Sequence, residues 1–489
     1  MKKKKNPVTA ANDQPAATNS RRSFLRNAGL AAAGFYIIPR HVLGRGFLAP
    51  SDKLQIAGIG VGGKGESDIW NFAQSGKADI AFLCDVDDRQ AVKTRGRFPK
   101  AKYYKDYREM LDKEHKHIDA VSVSTPDHMH GVQAMAAMQL KKHVYVQKPL
   151  THDIYEARML TRAAHDYKVV TQMGNQGASG DGVRKMIDWY NAGLIGDVTT
   201  IYAFTDRPVW PQGIGWPTTK GTIPPELDWN LWLGTAPQKD YVDGLLPFNW
   251  RGWWDYGTGA LGDMACHNMA PAFAVLGLGY PVSAECSVST RYLQPWTRAY
   301  YPESCPTSSH IILTFKGING KPDVKLHWMD GGIQPERPEE LGPNELMGDG
   351  GNGAVFIGTK GKMMCGTYGA VPKLLPTSLT ETTVVPETIK RVPGSAEGHY
   401  AAWVEAAIAG YGSAQANNLS SKFDVAGPLT ESVLMGNLAI RSYDIQKKNA
   451  NGNASYPGRN IKLVWDGPNM KITNFDDANQ FVKREYRAF

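Results

Sequence analysis

Ile56-Ala57-Gly58-Ile59-Gly60-Val61-Gly62-Gly63 decides the fold. The apolar run Leu54 to Ile59 predicts a strand and Gly62 onward predicts the opening of a helix, so Gly58, Gly60 and Gly63 form a GxGxxG pattern at a strand-to-helix turn. The three glycines are expected to allow a tight turn, backbone approach to a pyrophosphate, and close packing of helix on strand, with the helix N-terminus facing the anion. Gly62 is expected among the same backbone contacts. Alone the pattern is weak. Asp85, at the end of the next apolar run and about twenty residues on, supplies the carboxylate that a ribose requires. A carboxylate there repels a 2′-phosphate, so NAD is expected rather than NADP.

Working outward, Ile80 to Cys84, Ala120 to Ser124, Val144 to Gln147 and Lys168 to Gln172 read as further strands. Between them lie helix-like stretches at Ser67 to Gln74, Met129 to Leu140 and Ile154 to Tyr167. Strand and helix in alternation imply right-handed crossovers and a doubly wound parallel sheet, placed at residues 53–176. Residues 177–489 read as a second, α+β domain with a large open, mostly antiparallel sheet. Its strand-like runs are Val198 to Phe204, His310 to Phe315 and Val324 to Trp328, and its helices lie near Ala401 to Ala409 and Leu429 to Tyr443. The Gly-, Pro- and Glu-rich stretch Asp330 to Gly353 is expected to be a surface insertion or lid.

Toward the N-terminus, Ser20-Arg21-Arg22-Ser23-Phe24-Leu25-Arg26 runs into the apolar stretch Ala28 to Ile38. This is the pattern of a twin-arginine export signal, taken as residues 1–38 with a linker at 39–52. At about eleven residues the apolar stretch is shorter than the roughly twenty that cross a hydrocarbon core, so no stable membrane span is expected. The twin-arginine translocase is the expected partner and the periplasm or beyond the expected location. The net charge of +8 belongs to this segment: residues 1–50 hold nine Lys or Arg against Asp13 alone, and the remainder carries 46 of each sign. No basic field is left in the body to attract nucleic acid. The five cysteines, Cys84, Cys266, Cys286, Cys305 and Cys365, show no CxxC spacing, so buried thiols are expected rather than a zinc motif.

Two clusters fall at predicted strand ends, where a doubly wound sheet opens its crevice. They are Ser124-Thr125-Pro126-Asp127-His128-Met129-His130 and Tyr145-Val146-Gln147-Lys148-Pro149-Leu150. Lys148 reads as a cation held beside the cofactor, or as a solvated surface lysine. His128 and His130 suggest a metal pair but lack a third ligand, so no metal site is expected and polar lining of the crevice is the simpler reading. Further on, Asp263 and His267 are four apart and project from one helix face. That suits a base oriented by a carboxylate, or equally a first-turn acid beside a core histidine.

These blocks in this order resemble the Gfo/Idh/MocA oxidoreductases, and the resemblance extends over most of the chain from Lys53. The family's Glu-Lys-Pro motif falls on Gln147-Lys148-Pro149, its DxxxH pair on Asp263 and His267, and its TP-x-x-x-H loop on Thr125, Pro126 and His130. Gln147 departs from the family's glutamate. The resemblance implies a Rossmann domain followed by an α/β domain whose open sheet makes an oligomer interface, and an exported, Bacteroidetes-type branch acting on sugars or glycosides. It makes Lys148, Asp263 and His267 the catalytic trio and Gly58, Gly60, Gly62, Gly63, Asp85, Thr125, Pro126, His130, Gln147 and Lys148 the cofactor contacts. Asn175, Gln176 and Trp254 are expected to meet substrate with Asp263 and His267, near loops carrying Trp210, Trp216, Trp250 and Trp253, because the C–H face of a pyranose stacks on aromatic rings. Those tryptophans also read as ordinary packing. An exported enzyme has no soluble nicotinamide pool, so the cofactor is expected to stay bound and be recycled. Oxidation of a sugar hydroxyl, with C3 one choice, a redox-neutral glycosidase and a non-catalytic carbohydrate sensor are the three functions this reading leaves open.

Overall fold

Alternating apolar and amphipathic stretches become a six-stranded parallel sheet in the computed structural model, which describes residues 52–489. The strands are β1 (Leu54–Ile59), β2 (Ala78–Cys84), β3 (Lys102–Tyr104), β4 (Ala120–Val123), β5 (His143–Val146) and β6 (Thr171–Met173), in the order β3-β2-β1-β4-β5-β6. The chain reverses direction of travel across the sheet after β3, and the crevice between the carboxyl ends of β1 and β4 is where such sheets take ligands. β6 starts later than expected: Lys168 adopts φ +56, so the residues after the preceding helix form a turn before the strand begins. The export signal and nearly all of the linker lie outside the described residues.

The helix α1 (Lys64–Gln74) follows β1, and α2 (Ile154–Asp166) follows β5. Asp153 caps α2, accepting from the Glu156 N–H at 2.7 Å, while the Glu156 side chain returns to the cap's own N–H. Arg158 of α2 forms a bidentate pair with Glu431, Nη2 to Oε1 at 2.8 Å and Nε to Oε2 at 3.1 Å, which fastens α2 to the long helix Phe423–Tyr443.

The second sheet is mixed and mostly antiparallel, with nine strands among the described residues. Val198–Phe204 sits near its centre, paired in parallel with Val324–Met329 and antiparallel with Gly353–Gly358. Ser309–Phe315 and Ser283–Val288 continue it on one side and Lys362–Cys365 on the other. The stretch 330–353 packs Leu341 and Met347 against Phe204, Met329, Val355 and Met364. The helix α3 (His399–Ala409) lies in the 177–489 part of the sequence, yet its Tyr400, Trp403 and Val404 pack with Leu54, Ile56, Phe72 and Tyr145 of the first sheet and its covering helix. A parallel sheet must be covered on both faces, and here a distant segment of the chain supplies part of the cover.

Candidate active site

The glycine turn is shaped by exclusion. Gly60 has φ +75, and a Cβ there would stand 2.8 Å from the Ser124 carbonyl. At Gly65 a Cβ would come within 1.9 Å of the Gly60 oxygen, whereas Gly63 has φ +52 and open space before it. The close contact of helix and turn therefore belongs to Gly65, not to Gly63 as the pattern suggests, because α1 begins at Lys64 and Gly63 is still its cap. Asp85 closes the rim. Its carboxylate accepts from the backbone N–H groups of Val61 (2.9 Å) and Asp87 (3.0 Å). Burial raises its pKa to about 6 against the opposing pull of those donors.

These groups border a cavity of about 660 Å³ that runs from Gly60, Gly62, Gly63 and Asp85, past Thr125, Pro126 and Gln147, to Lys148, Asp263 and His267. An open glycine turn at a helix N-terminus, with a carboxylate at the end of the next strand, fits a dinucleotide.

Lys148 Nζ donates to the Asp263 carboxylate at 2.8 Å and to the Asp263 carbonyl at 2.7 Å. Arg251 Nε adds a second donor to the same carboxylate at 3.3 Å. Burial alone would push the Asp263 carboxyl up, but the Lys148 and Arg251 charges outweigh it and hold the pKa at about 2. His267 is pushed the other way, well below an ordinary imidazole, first by burial and then by the Lys148 charge, so at neutral pH it is a neutral base. Its Nδ1 is buried with no hydrogen-bond partner among the described residues, and the Tyr368 ring meets the imidazole edge-on with centroids 4.4 Å apart.

The expected trio does converge, with its internal pairing changed. Helical spacing puts Asp263 and His267 on one face, but the Asp263 side chain bonds to the ammonium and guanidinium that reach it, not to the imidazole. Asp263 thus fixes Lys148 rather than orienting His267.

Other expected contacts are displaced from the cavity wall. His130 is buried with its ring nitrogens 2.7 Å from the Pro149 carbonyl and 2.8 Å from that of Thr125, so it braces the two crevice loops against each other. Gly58 lies behind the turn, where a Cβ would strike Ile69 at 2.6 Å. Asn175 is buried and donates to the Cys266 carbonyl at 3.4 Å, while Gln176 reaches the cavity. Trp254 is core, under the Arg441 guanidinium. Trp253 and Trp216 pack edge to face, and Trp210 sits edge-on to Phe248. Of the tryptophans expected near substrate, Trp250 lines the cavity, joined by Trp232 and Phe248.

Sequence reading missed Arg251, Lys64 and Tyr368. Arg251 is flanked by aromatics, its guanidinium 4.4 Å from the ring centroids of both Phe248 and Trp250. Lys64 follows the glycine run directly, a signal that was legible. Tyr368 lies between Gly366 and Gly369 in a turn where it takes φ +65, a conformation rare for a residue with a side chain.

Two family models match the chain in sequence order. Residues 54–175 match the oxidoreductase family's NAD-binding Rossmann fold, and residues 190–299 match its C-terminal alpha/beta domain. The chain belongs to this Gfo/Idh/MocA family of NAD-binding oxidoreductases. A glycosyl hydrolase family 109 protein of Shewanella pealeana is 29% identical over 170 residues, covering 30% of this chain and 37% of that protein. The match thus spans about a third of the curated relative's length. Among solved structures, the aldose-aldose oxidoreductase of Caulobacter crescentus complexed with glycerol superposes with TM-score 0.51 at 15% identity, over 83% of this chain and 99% of that one. A levoglucosan dehydrogenase in complex with NADH and levoglucosan gives TM-score 0.51 at 16% identity, over 79% and 98%. At these identities the superpositions establish a shared fold.

Proposed function

We propose that this protein is an NAD-dependent oxidoreductase acting on a hydroxyl of a sugar or glycoside. The observation that carries the reading is a lysine ammonium, pinned 2.8 Å from the Asp263 carboxylate, beside a neutral His267 in the cavity that the glycine turn opens. Gly60, Gly62, Gly63 and Asp85 hold the nucleotide, and the bound nicotinamide supplies a hydride acceptor. His267 takes the proton of the reacting hydroxyl, and the N–H of Lys148 not committed to Asp263 binds that oxygen as charge develops on it. Asp263 holds the ammonium aimed, and Trp232, Phe248 and Trp250 give the apolar face of a pyranose a surface to cover. Two proteins that share this fold, an aldose-aldose oxidoreductase and a levoglucosan dehydrogenase, support the substrate class.

The twin-arginine pattern makes export, with the cofactor carried out already bound, part of the proposal, and the open second sheet an interface between copies. A retained cofactor has to be recycled, either by a second sugar taking the hydride back or by oxidation and re-reduction of one substrate. Oxidation at C3 suits the second route, because the ketone acidifies the neighbouring C–H. Carried further, that route eliminates the aglycone and adds water. This redox-neutral glycosidase is the second reading, favoured by the relatives named glycosyl hydrolase family 109.

Product analysis on an aryl glycoside separates the two. A keto-glycoside supports the oxidoreductase, and sugar released without net oxidation supports the hydrolase. Neither product, from protein shown to hold NAD, would overturn both and leave a sensor.

A further inference from the structure

Asp68 is completely buried in α1, yet four donors from four parts of the chain meet on its carboxylate. Gln147 Nε2 donates to Oδ2 at 2.7 Å and Ser124 Oγ to the same oxygen at 2.9 Å. Oδ1 accepts from the Tyr400 hydroxyl at 2.9 Å and from the Lys64 ammonium. Tyr400 in turn accepts from Lys64 at 2.8 Å and from Gln176 Nε2 at 2.6 Å, so one hydroxyl uses its donor and both acceptor positions. Asp68 is absent from the cavity wall, whereas Gln147, Ser124, Lys64 and Gln176 all line it.

The chemistry of this cluster is directional. An ionised carboxylate only accepts, so Asp68 fixes the Gln147 amide with its NH2 inward and leaves the carbonyl oxygen free to accept elsewhere. Gly174 makes room for that amide: a Cβ there would stand 2.4 Å from Gln147 Nε2. A glutamate at 147 would set a second carboxylate at hydrogen-bond distance from the first, which accounts for the glutamine at this place. Lys64 feels burial, which disfavours its charge, but Asp68 and Tyr400 outweigh it and keep it an ammonium. It is the first residue of α1 and adds a full charge to the helix N-terminus.

We propose that Asp68 is the buried counter-charge of a cofactor-positioning unit in which Gln147 offers a carbonyl acceptor, Ser124 a hydroxyl oxygen and Lys64 an ammonium to the NAD that spans the cavity. Asp68 and Tyr400 touch no cofactor and are positioning residues; Tyr400 ties the unit to α3, 332 residues further along the chain.

The test is NADH titration by fluorescence on the full chain stripped of nucleotide, with circular dichroism to verify folding. Asp68→Asn lets the Gln147 amide flip and leaves Lys64 without its carboxylate, and is expected to weaken NADH binding at least tenfold; Gln147→Glu, with two facing carboxylates, should weaken it comparably. The double variant Asp68→Asn with Gln147→Glu exchanges acid and amide across the same hydrogen bond while Lys64 still lacks its carboxylate, so it is expected to bind NADH at least threefold more tightly than the two single losses multiplied together. Single variants with wild-type affinity, or a double variant as weak as the two losses multiplied together, would overturn the proposal. Tyr400→Phe keeps the packed ring and serves if Asp68→Asn does not fold; a weakening of threefold or more supports the unit, and unchanged affinity refutes it. Wild-type protein that binds no NADH would instead sink the cofactor reading on which the unit rests.

Discussion

Asp85, half-buried at the rim of the cavity, is expected to couple ligand binding to pH. Its pKa is raised from 3.8 to about 6, so on acidification the folded protein protonates it at a higher pH than the unfolded chain does. Only the ionised form accepts two ribose hydroxyls, and NAD affinity is expected to fall as pH drops through about 6. Stability runs the other way. A carboxyl whose pKa is raised by folding favours the folded state most fully below 3.8 and loses that contribution as pH rises through about 6. Titrating NADH at pH 5 and pH 7.5 checks the first sign, and Asp85→Asn should bind weakly with a flat profile; a wild-type profile that is itself flat would remove Asp85 from the ribose site. Lys148 and His267 carry the chemistry in this account, so Lys148→Ala or His267→Ala should lower kcat by 10² or more while NAD still co-purifies, since neither builds the glycine turn. Turnover unchanged in either variant would refute its role.

At the scale of elements, Gly65 is the tightest point of the cofactor turn. Gly65→Ala places a methyl 1.9 Å from the Gly60 oxygen, so strand, turn and helix must part, at about 1–3 kcal/mol. Thermal melting should register that loss, and NADH titration should show weakened binding even where the protein remains folded. The elements legible in the sequence are those whose patterns are local: the strand-like runs read at Leu54–Ile59 and Val198–Phe204 coincide with the strands from end to end. The short strand Lys102–Tyr104 was not legible because it is half-exposed and offers no apolar run. The helix Phe423–Tyr443 starts six residues before the Leu429 expected, through Pro428, because Gly427 lets it lie directly against Thr161 of α2 and packing overrides the break. The site divides along the same line. Asp85, Lys148, Asp263 and His267 sit in short motifs whose spacing carries their chemistry, whereas Asp68 to Gln147 and Tyr368 to His267 are pairings that no local pattern encodes.

Across the whole molecule, the 53–176 stretch contains all six strands of the nucleotide-binding sheet but not all of its core. Trp403, fully buried, packs at 5.0 Å between ring centroids against Phe72, and Tyr145 lies 5.5 Å from it, with Val404 and Ala407 completing the cover. Removing that aromatic from within the chain should cost about 3–5 kcal/mol as Trp403→Ala, an effect a typical domain stability of about 5–15 kcal/mol barely absorbs. Cutting the chain after residue 176 removes Trp403 together with Tyr400, exposing Phe72 and Tyr145 and freeing Asp68 from one of its donors. Residues 53–489 should therefore unfold as a unit, with tryptophan fluorescence and release of bound NADH reporting the same midpoint. A 53–176 fragment should show no cooperative transition and no NADH binding. If the fragment folds and binds NADH alone, α3 is an accessory to a self-sufficient nucleotide domain. If it fails, and adding residues 399–417 through a flexible linker restores a sharp melt, the distant helix is part of that domain in every sense except its position in the sequence.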